Sequence, residues 1–205
     1  MKEFLIDEKG NRMCPVILFG GGSLASKAVN LLHENNFSVY GYVAPEETRL
    51  SNKLKFLGCN DYEIYTRYKA ENKFLNCVGF YNRNSRNNFL NVNRILIDTD
   101  RLSSPLICKT ASVHESSSIG LGSIICGGAI IGENTKIAEN CLINSGAIIE
   151  HDCKIDRGCH ISVGAIVCGN VKIGQFSLVG AGAIVINNTC LDSNSFIGAG
   201  EVMRS

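Results

Sequence analysis

His151 and His160 stand in "IEHDCKIDRGCHISVGAIVCGN", residues 149–170, a run of alternating small and aliphatic residues. Such a run ordinarily builds only a core, so two imidazoles in it call for a reason. An imidazole can take or give a proton near neutral pH, and an adjacent carboxylate can orient the ring and raise its basicity. Asp152 directly follows His151. The pair suits general-base chemistry, with a partner N–H needed for any carbonyl oxygen that gains charge. The other two histidines, His33 and His114, read as structural.

The elements that must position these side chains follow from an internal repeat. Stepping by six from Val113 meets Ile119, Ile125, Ile131, Ile137, Ile143, Ile149, Ile155, Ile161, Val167, Ile173, Val179, Val185, Leu191, Ile197 and Met203. Two residues before each stands a small residue, such as Ala111, Ser117, Ser123, Ala147, Cys153 and Cys159, until Glu201 breaks the series. A helix repeats at 3.6 residues and a lone strand at 2, so period six needs another cause. A short strand that turns a corner satisfies it. Three strands then close a triangular coil of eighteen residues, and stacked coils pair as parallel strands around a shared core.

In that register Ile161 points inward and His160 outward from a flat face. His151 and Asp152 fall at a corner, and Gly169 stacks one coil above His151, at about the 4.8 Å strand spacing. A glycine there presents an open N–H, so the corner could serve acyl transfer with His151 as base. A solvated corner histidine, a turn aspartate and an ordinary corner glycine are the plainer reading of the same residues. A zinc site of the β-helix carbonic anhydrase kind is excluded, because it wants three histidines and an H-x-x-x-x-H spacing. The register never slips, so no loop lies between coils. Any pocket must form on the outer surface, against another domain or another subunit.

Before about Leu106 the pattern changes. "PVILFGGGSLASKAVNLLHEN" reads as a strand (Val16–Phe19), a glycine turn and an amphipathic helix with Leu24, Ala28, Leu31 and Leu32 on one face. "FSVYGYV" and "LNCVGFYN" read as further strands, giving a small parallel-sheet α/β domain. The expected domains are 1–105 and 106–205, with Pro105 at the junction. "GGGSLA" fits G-x-G-x-x-A between strand and helix, where backbone N–H groups receive a phosphate. The acid expected some twenty residues on for a dinucleotide is replaced by "YVAPEE", so a nucleotide-linked ligand is favoured over NAD. A merely structural turn is the alternative.

Composition bounds the rest. The 205 residues are 45% hydrophobic and 19% charged with formal net charge +1, and no basic stripe occurs. Nucleic acid and anionic membranes are therefore not expected as partners. No apolar h-region and no membrane-length stretch is found, and ten cysteines point to reduced thiols in a cytoplasm. No C-x-x-C accompanies them, so no metal is expected. On repeat positions cysteine serves as a small hydrophobe.

Residues 143–174, "INSGAIIEHDCKIDRGCHISVGAIVCGNVKIG", resemble the bacterial sugar acetyltransferases. These include sialic acid O-acetyltransferases and N-acetyltransferases of nucleotide-linked 4-amino-6-deoxy sugars, and the likeness covers nearly the whole chain. The resemblance implies a Rossmann-like α/β domain followed by a left-handed parallel β-helix of hexapeptide repeats. It implies acetyl-CoA as co-substrate and a homotrimer with each site between neighbouring prisms. His151 matches the general base and Asp152 its assisting acid. His160 matches a contact to the thioester end of acetyl-CoA, Gly169 the glycine whose amide faces the acetyl oxygen, and Ala181 and Ala199 positions against which CoA packs. Asn144 matches an asparagine lining the site. Gly22, Ser23 and Leu24 match the sugar-nucleotide turn, and Asn82 with Arg86 an N-x-x-x-R element near the substrate. Leu24 replaces a histidine common in relatives, and "VAPEE" replaces an acidic pair that meets the base in uridine-linked members. The usual tail after the last coil is not expected beyond Ser205. The expected reaction is N-acetylation of a nucleotide-diphosphate-linked 4-amino-4,6-dideoxy sugar for a bacterial surface glycan. O-acetylation of a sialic acid is the rival, and a non-catalytic scaffold the reading from another class.

Overall fold

A computed structural model describes residues 15–59, 68, 72–80, 83–98 and 101–204. The chain divides into two compact units, Met1–Ser103 and Ser104–Ser205.

In the first unit, strand β1 (Val16–Phe19) is followed by helix α1 (Ser23–Glu34) and strand β2 (Val39–Val43). A short 3-10 turn (Arg49–Asn52), strand β3 (Lys73–Asn76) and helix α2 (Arg83–Asp98) complete it. The sheet order is β2-β1-β3, and both pairings are parallel. β1 is central, and its four residues are almost wholly buried, as a parallel strand covered on both faces must be. α1 buries Ala25, Ala28, Val29, Leu31 and Leu32, a stripe of helical spacing. Leu24, expected on that stripe, is only half-buried. β3 ends earlier than "LNCVGFYN" suggests. The Asn76 side-chain oxygen accepts the Val78 N–H at 3.0 Å, a local turn that takes the backbone out of the ladder.

The second unit is a parallel β-solenoid. Its two-residue strands, β4 (Leu106–Ile107) to β20 (Val202–Met203), recur every six residues. They form three sheets, the faces of a triangular prism. The first face holds β4, β7, β10, β13, β16 and β19, and the second β5, β8, β11, β14, β17 and β20. The third holds β6, β9, β12, β15 and β18. Partners are eighteen residues apart, as in Ile148↔Ile166 and Lys154↔Lys172. The second residue of each strand points inward, so Ile125, Ile143, Ile149, Ile155, Ile161 and Val167 are fully buried in one core. Each such side chain contributes about 1.5–3 kcal/mol by leaving water.

The small residues before the strands fall into two classes. At the corner between first and second faces they are Ala111, Ala129, Ala147, Ala165 and Ala183, and glycines with positive φ (Gly128, Gly146, Gly164, Gly182, Gly200) make the turn. At the other two corners most of them donate hydrogen bonds to the coil above. Ser123 Oγ reaches Ala138 O at 2.8 Å, Cys153 Sγ reaches Cys168 O at 3.1 Å, and Cys159 Sγ reaches Gly174 O at 3.3 Å. Cysteine is thus a donor here as well as a small apolar residue. Burial raises the Cys141 and Cys153 thiols above their ordinary range, which keeps them protonated for that role.

The three faces differ on the outside. The first carries Leu106, Ile124, Leu142, His160 and Leu178, all buried, and the exposed Phe196 at its last strand. The second carries Ile130, Ile148, Ile166, Ile184 and Val202, half-buried or exposed, and the third the exposed Lys136, Lys154 and Lys172. No described helix is long and apolar enough to cross a membrane.

Candidate active site

His151 lies at the corner between second and third faces, separated from the end of β11 (Ile148–Ile149) by Glu150. Its Nδ1 is 2.9 Å from Asp152 Oδ2, and both side chains are half exposed. Asp152 holds a left-handed backbone (φ 58°), as do Asn134 below it and Asn170 and Asn188 above. Asp and Asn tolerate this conformation better than other side-chain-bearing residues, which accounts for that column. The turn is further fixed by Asp152 N–H donating to Glu133 O at 2.8 Å and Asn134 Nδ2 donating to Asp152 Oδ1 at 3.4 Å. The hydrogen bond from Asp152 raises the His151 imidazole above its ordinary pKa, with smaller help from Glu150 and Glu133. The same bond lowers the Asp152 carboxyl. With Nδ1 engaged by Asp152, Nε2 is the ring nitrogen left to meet another group.

Gly169 is the neighbour that the repeat predicts. A Cβ on it would come within 2.6 Å of His151 Nε2 and 2.7 Å of Cε1. The ring therefore lies over this glycine, and any side chain there would displace it. Among the described residues no acceptor takes the Gly169 N–H, whereas its carbonyl accepts Asn188 N–H at 3.2 Å. A base nitrogen beside an open amide donor is what attack on a thioester carbonyl requires.

The remaining prism residues collect elsewhere. His160 is in β13 (His160–Ile161) on the first face, 8% exposed, with Nε2 3.5 Å from Ser162 Oγ. It points outward as expected but is buried rather than open. Asn144 lies one coil below Ser162 and accepts Ser145 N–H at 2.9 Å through its side-chain oxygen. Ala181 and Ala199 are exposed at the corner between first and second faces, stacked so that Gly200 N–H reaches Ala181 O at 2.9 Å. In a triangular prism the corner of His151, Asp152 and Gly169 is opposite the first face. One chain therefore does not bring His151 and His160 together. Ser162, Glu133 and Glu150 were not picked out by motif, though the eighteen-residue column predicts a neighbour at position 133.

In the first unit the glycine turn is closely fitted. Gly20 has φ 117°, and a Cβ there would come 2.6 Å from Cys77 O, so only glycine serves. Thr48 Oγ1 donates to Gly21 O at 3.0 Å and holds the turn against the segment after β2. Gly22 is the N-cap of α1 without a side-chain cap, and a Cβ on it would meet nothing within 4 Å. Ser23 opens the helix, so its first N–H groups face outward. Arg86 is half-buried in the first turn of α2. Asn82 lies outside the described residues. Among the described residues no group of three or more His, Cys, Asp or Glu is placed to hold a metal ion.

The fold is that of solved acetyltransferase structures. The acetyltransferase domain of PglB from Neisseria gonorrhoeae is 22% identical, with TM-score 0.82 over 93% of this chain and 91% of that one. The same domain in complex with acetyl coenzyme A matches with TM-score 0.82 at 22% identity, over 94% and 91%. A histidine-to-alanine variant of GDP-perosamine N-acetyl transferase from Caulobacter crescentus, in complex with CoA and GDP-perosamine, is 23% identical. Its TM-score is 0.81 over 93% of this chain and 88% of that one. No protein-family profile and no curated protein matches the chain.

Proposed function

We propose that this protein is an acetyl-CoA-dependent N-acetyltransferase for the amine of a nucleotide-diphosphate-linked 4-amino-4,6-dideoxy sugar. The observation that carries the reading is the His151 ring, held through Nδ1 by Asp152, with Nε2 over the backbone of Gly169, where no side chain intervenes. Nε2 takes the proton as the neutral amine attacks the thioester carbon. The Gly169 N–H donates to the carbonyl oxygen while it carries charge, and the proton then leaves with the CoA thiolate. Likeness to structures described with acetyl-CoA and with GDP-perosamine supports this choice of substrates.

The first unit reads as Rossmann-like. Its strand order 2-1-3 reverses direction beside β1, so the turn Gly20–Ser23 stands at the place where such sheets take ligands. Gly22, Ser23 and Leu24 would meet the diphosphate and Arg86 the substrate, with Asn82 assigned there on sequence alone. Ala181 and Ala199 offer a smooth, small-residue track for CoA along the prism, leading to His160 and Asn144. The prism is read as left-handed and the division as 1–105 and 106–205.

The two halves of the transfer site occupy opposite parts of one prism, so the reading requires a neighbouring copy. The outer column Ile130, Ile148, Ile166, Ile184 and Val202 lies between them and gives a homotrimer its contact. Both substrates are cytoplasmic metabolites, which places the enzyme in the cytoplasm, supplying a surface glycan.

A thiol-release assay with acetyl-CoA tests the proposal, offering UDP-, dTDP- and GDP-linked 4-amino-4,6-dideoxy sugars beside free sialic acid. Release with one amino sugar, reduced roughly 10²–10⁴-fold in His151→Ala, is expected. Release only with sialic acid would move the protein to ester formation. A loss under tenfold in His151→Ala would remove His151 as the base.

A further inference from the structure

Two carboxylates flank His151 in sequence, and only one of them is engaged with the ring. Asp152 holds Nδ1 at 2.9 Å. Glu150 is exposed, and among the described residues its carboxylate has no hydrogen-bond or ion-pair partner. It follows the buried Ile149, and its N–H pairs with Val167 O at 2.9 Å, so it continues the outward positions of the second face. Its column offers no counter-charge: Gly132 lies one coil below and Cys168 one coil above. The other charges near the ring are Asp152 itself and Glu133, one coil below, which leans toward His114 Nε2 at 3.5 Å. Among the described residues no Lys or Arg stands at this corner within two coils of the ring, and its one other imidazole, His114, faces Glu133.

A sugar amine is largely an ammonium ion at neutral pH, and it must reach His151 before it loses a proton. A free carboxylate on the outer edge, next to the base, supplies an anchor for that cation. We infer that Glu150 is a specificity-determining residue that receives the acceptor as its ammonium form and steers the nitrogen to His151 Nε2. The inference rests on the acetyl-transfer reading above. The carboxylate makes no covalent bond and takes no proton. It acts on binding of the charged acceptor, so it is felt in KM and fades where the amine is already neutral. Glu150 also adds to the negative field that raises the His151 pKa, so its removal shifts the acid limb of the profile downward.

The test is steady-state kinetics of Glu150→Gln with the amino sugar that the wild type accepts, at about pH 7 and about pH 9. Glu115→Gln, which removes the same charge two coils below the ring, is the control. The expected result is a KM for the amino sugar raised about three- to tenfold at the lower pH, with kcat within about twofold. The rise should shrink at the higher pH, and Glu115→Gln should match the wild type. An unchanged KM, an equal rise at both pH values, or the same rise in Glu115→Gln would overturn the inference. Unchanged acetyl-CoA affinity and thermal unfolding in Glu150→Gln separate this from damage to the fold. A wild type that transfers acetyl to no amino sugar would sink the functional reading and this inference with it. That outcome is distinct, because it appears before any variant is compared.

Discussion

The Thr135 hydroxyl, fully buried in the prism, donates to the carbonyl of Glu150 at 2.7 Å and accepts the Cys153 N–H at 3.2 Å. One interior side chain thus grips the backbone on both sides of His151 and Asp152. Thr135→Val keeps the shape and loses both bonds, leaving a buried carbonyl and a buried N–H unpaired. It should cost about 1–3 kcal/mol, whereas Thr135→Ser should cost less than about 1 kcal/mol. Thermal unfolding followed by circular dichroism measures both. Equal melting temperatures for Val and wild type would show that water or a shift of the coil replaces the hydroxyl.

Gly169→Ala tests the stacking itself. The new methyl would occupy the place of the ring, so turnover should fall toward that of His151→Ala, roughly 10²–10⁴-fold. Adding Gly169→Ala to His151→Ala should then cost little more, because both changes remove one base. Additive losses would mean that the glycine acts apart from the histidine.

The proposed mechanism predicts a pH profile set by Asp152. His151 must be neutral to act as the proposed base, and the Asp152 hydrogen bond is the chief cause that raises its folded-state pKa, so turnover should rise as pH climbs through a value above that of a free histidine. Asp152→Asn removes the charge, which should move this acid limb to lower pH while the plateau falls from loss of ring orientation. A profile of kcat/KM from about pH 5 to 9 reads both. An unmoved limb would assign it to another group.

Ile166 stands in the middle of the exposed aliphatic column, paired with Ile148 and Ile184. Ile166→Glu should leave the prism folded, since the inward Val167 is untouched, but place a charge on the face assigned to the neighbour. Light scattering should report monomers and the assay a loss of turnover. A stable trimer in this variant would move the contact to another face.

The solenoid was legible because its inward positions admit only aliphatic and small residues from Val113 on, with Glu201 in the last coil as the exception. His151, Asp152 and Gly169 were legible for the same reason, since a fixed register turns sequence spacing into spatial contact. The alanines at every eighteenth position from Ala111 to Ala183 also mark one corner against the other two, and that signal was there to be read. The burial of His160 was not, because outward residues carry no imprint of what shields them. Nor was the early end of β3, where a single Asn76 side chain outcompetes the sheet. Leu24 satisfied a helical pattern that the tertiary structure uses only from Ala25 on.

The unbroken register makes the prism a counter with three phases. Six residues added before Ile149 would keep every inward side chain inward, and the molecule would remain a sound solenoid. Yet the histidine would be carried a third of a turn, from its own corner to the next, away from the face of aliphatic residues. Eighteen added residues would bring it back, one storey higher. Stability is therefore indifferent to length in steps of six, while the placing of the histidine tolerates only multiples of eighteen. Such a prism could grow or shrink by whole storeys and still keep the imidazole at its own corner.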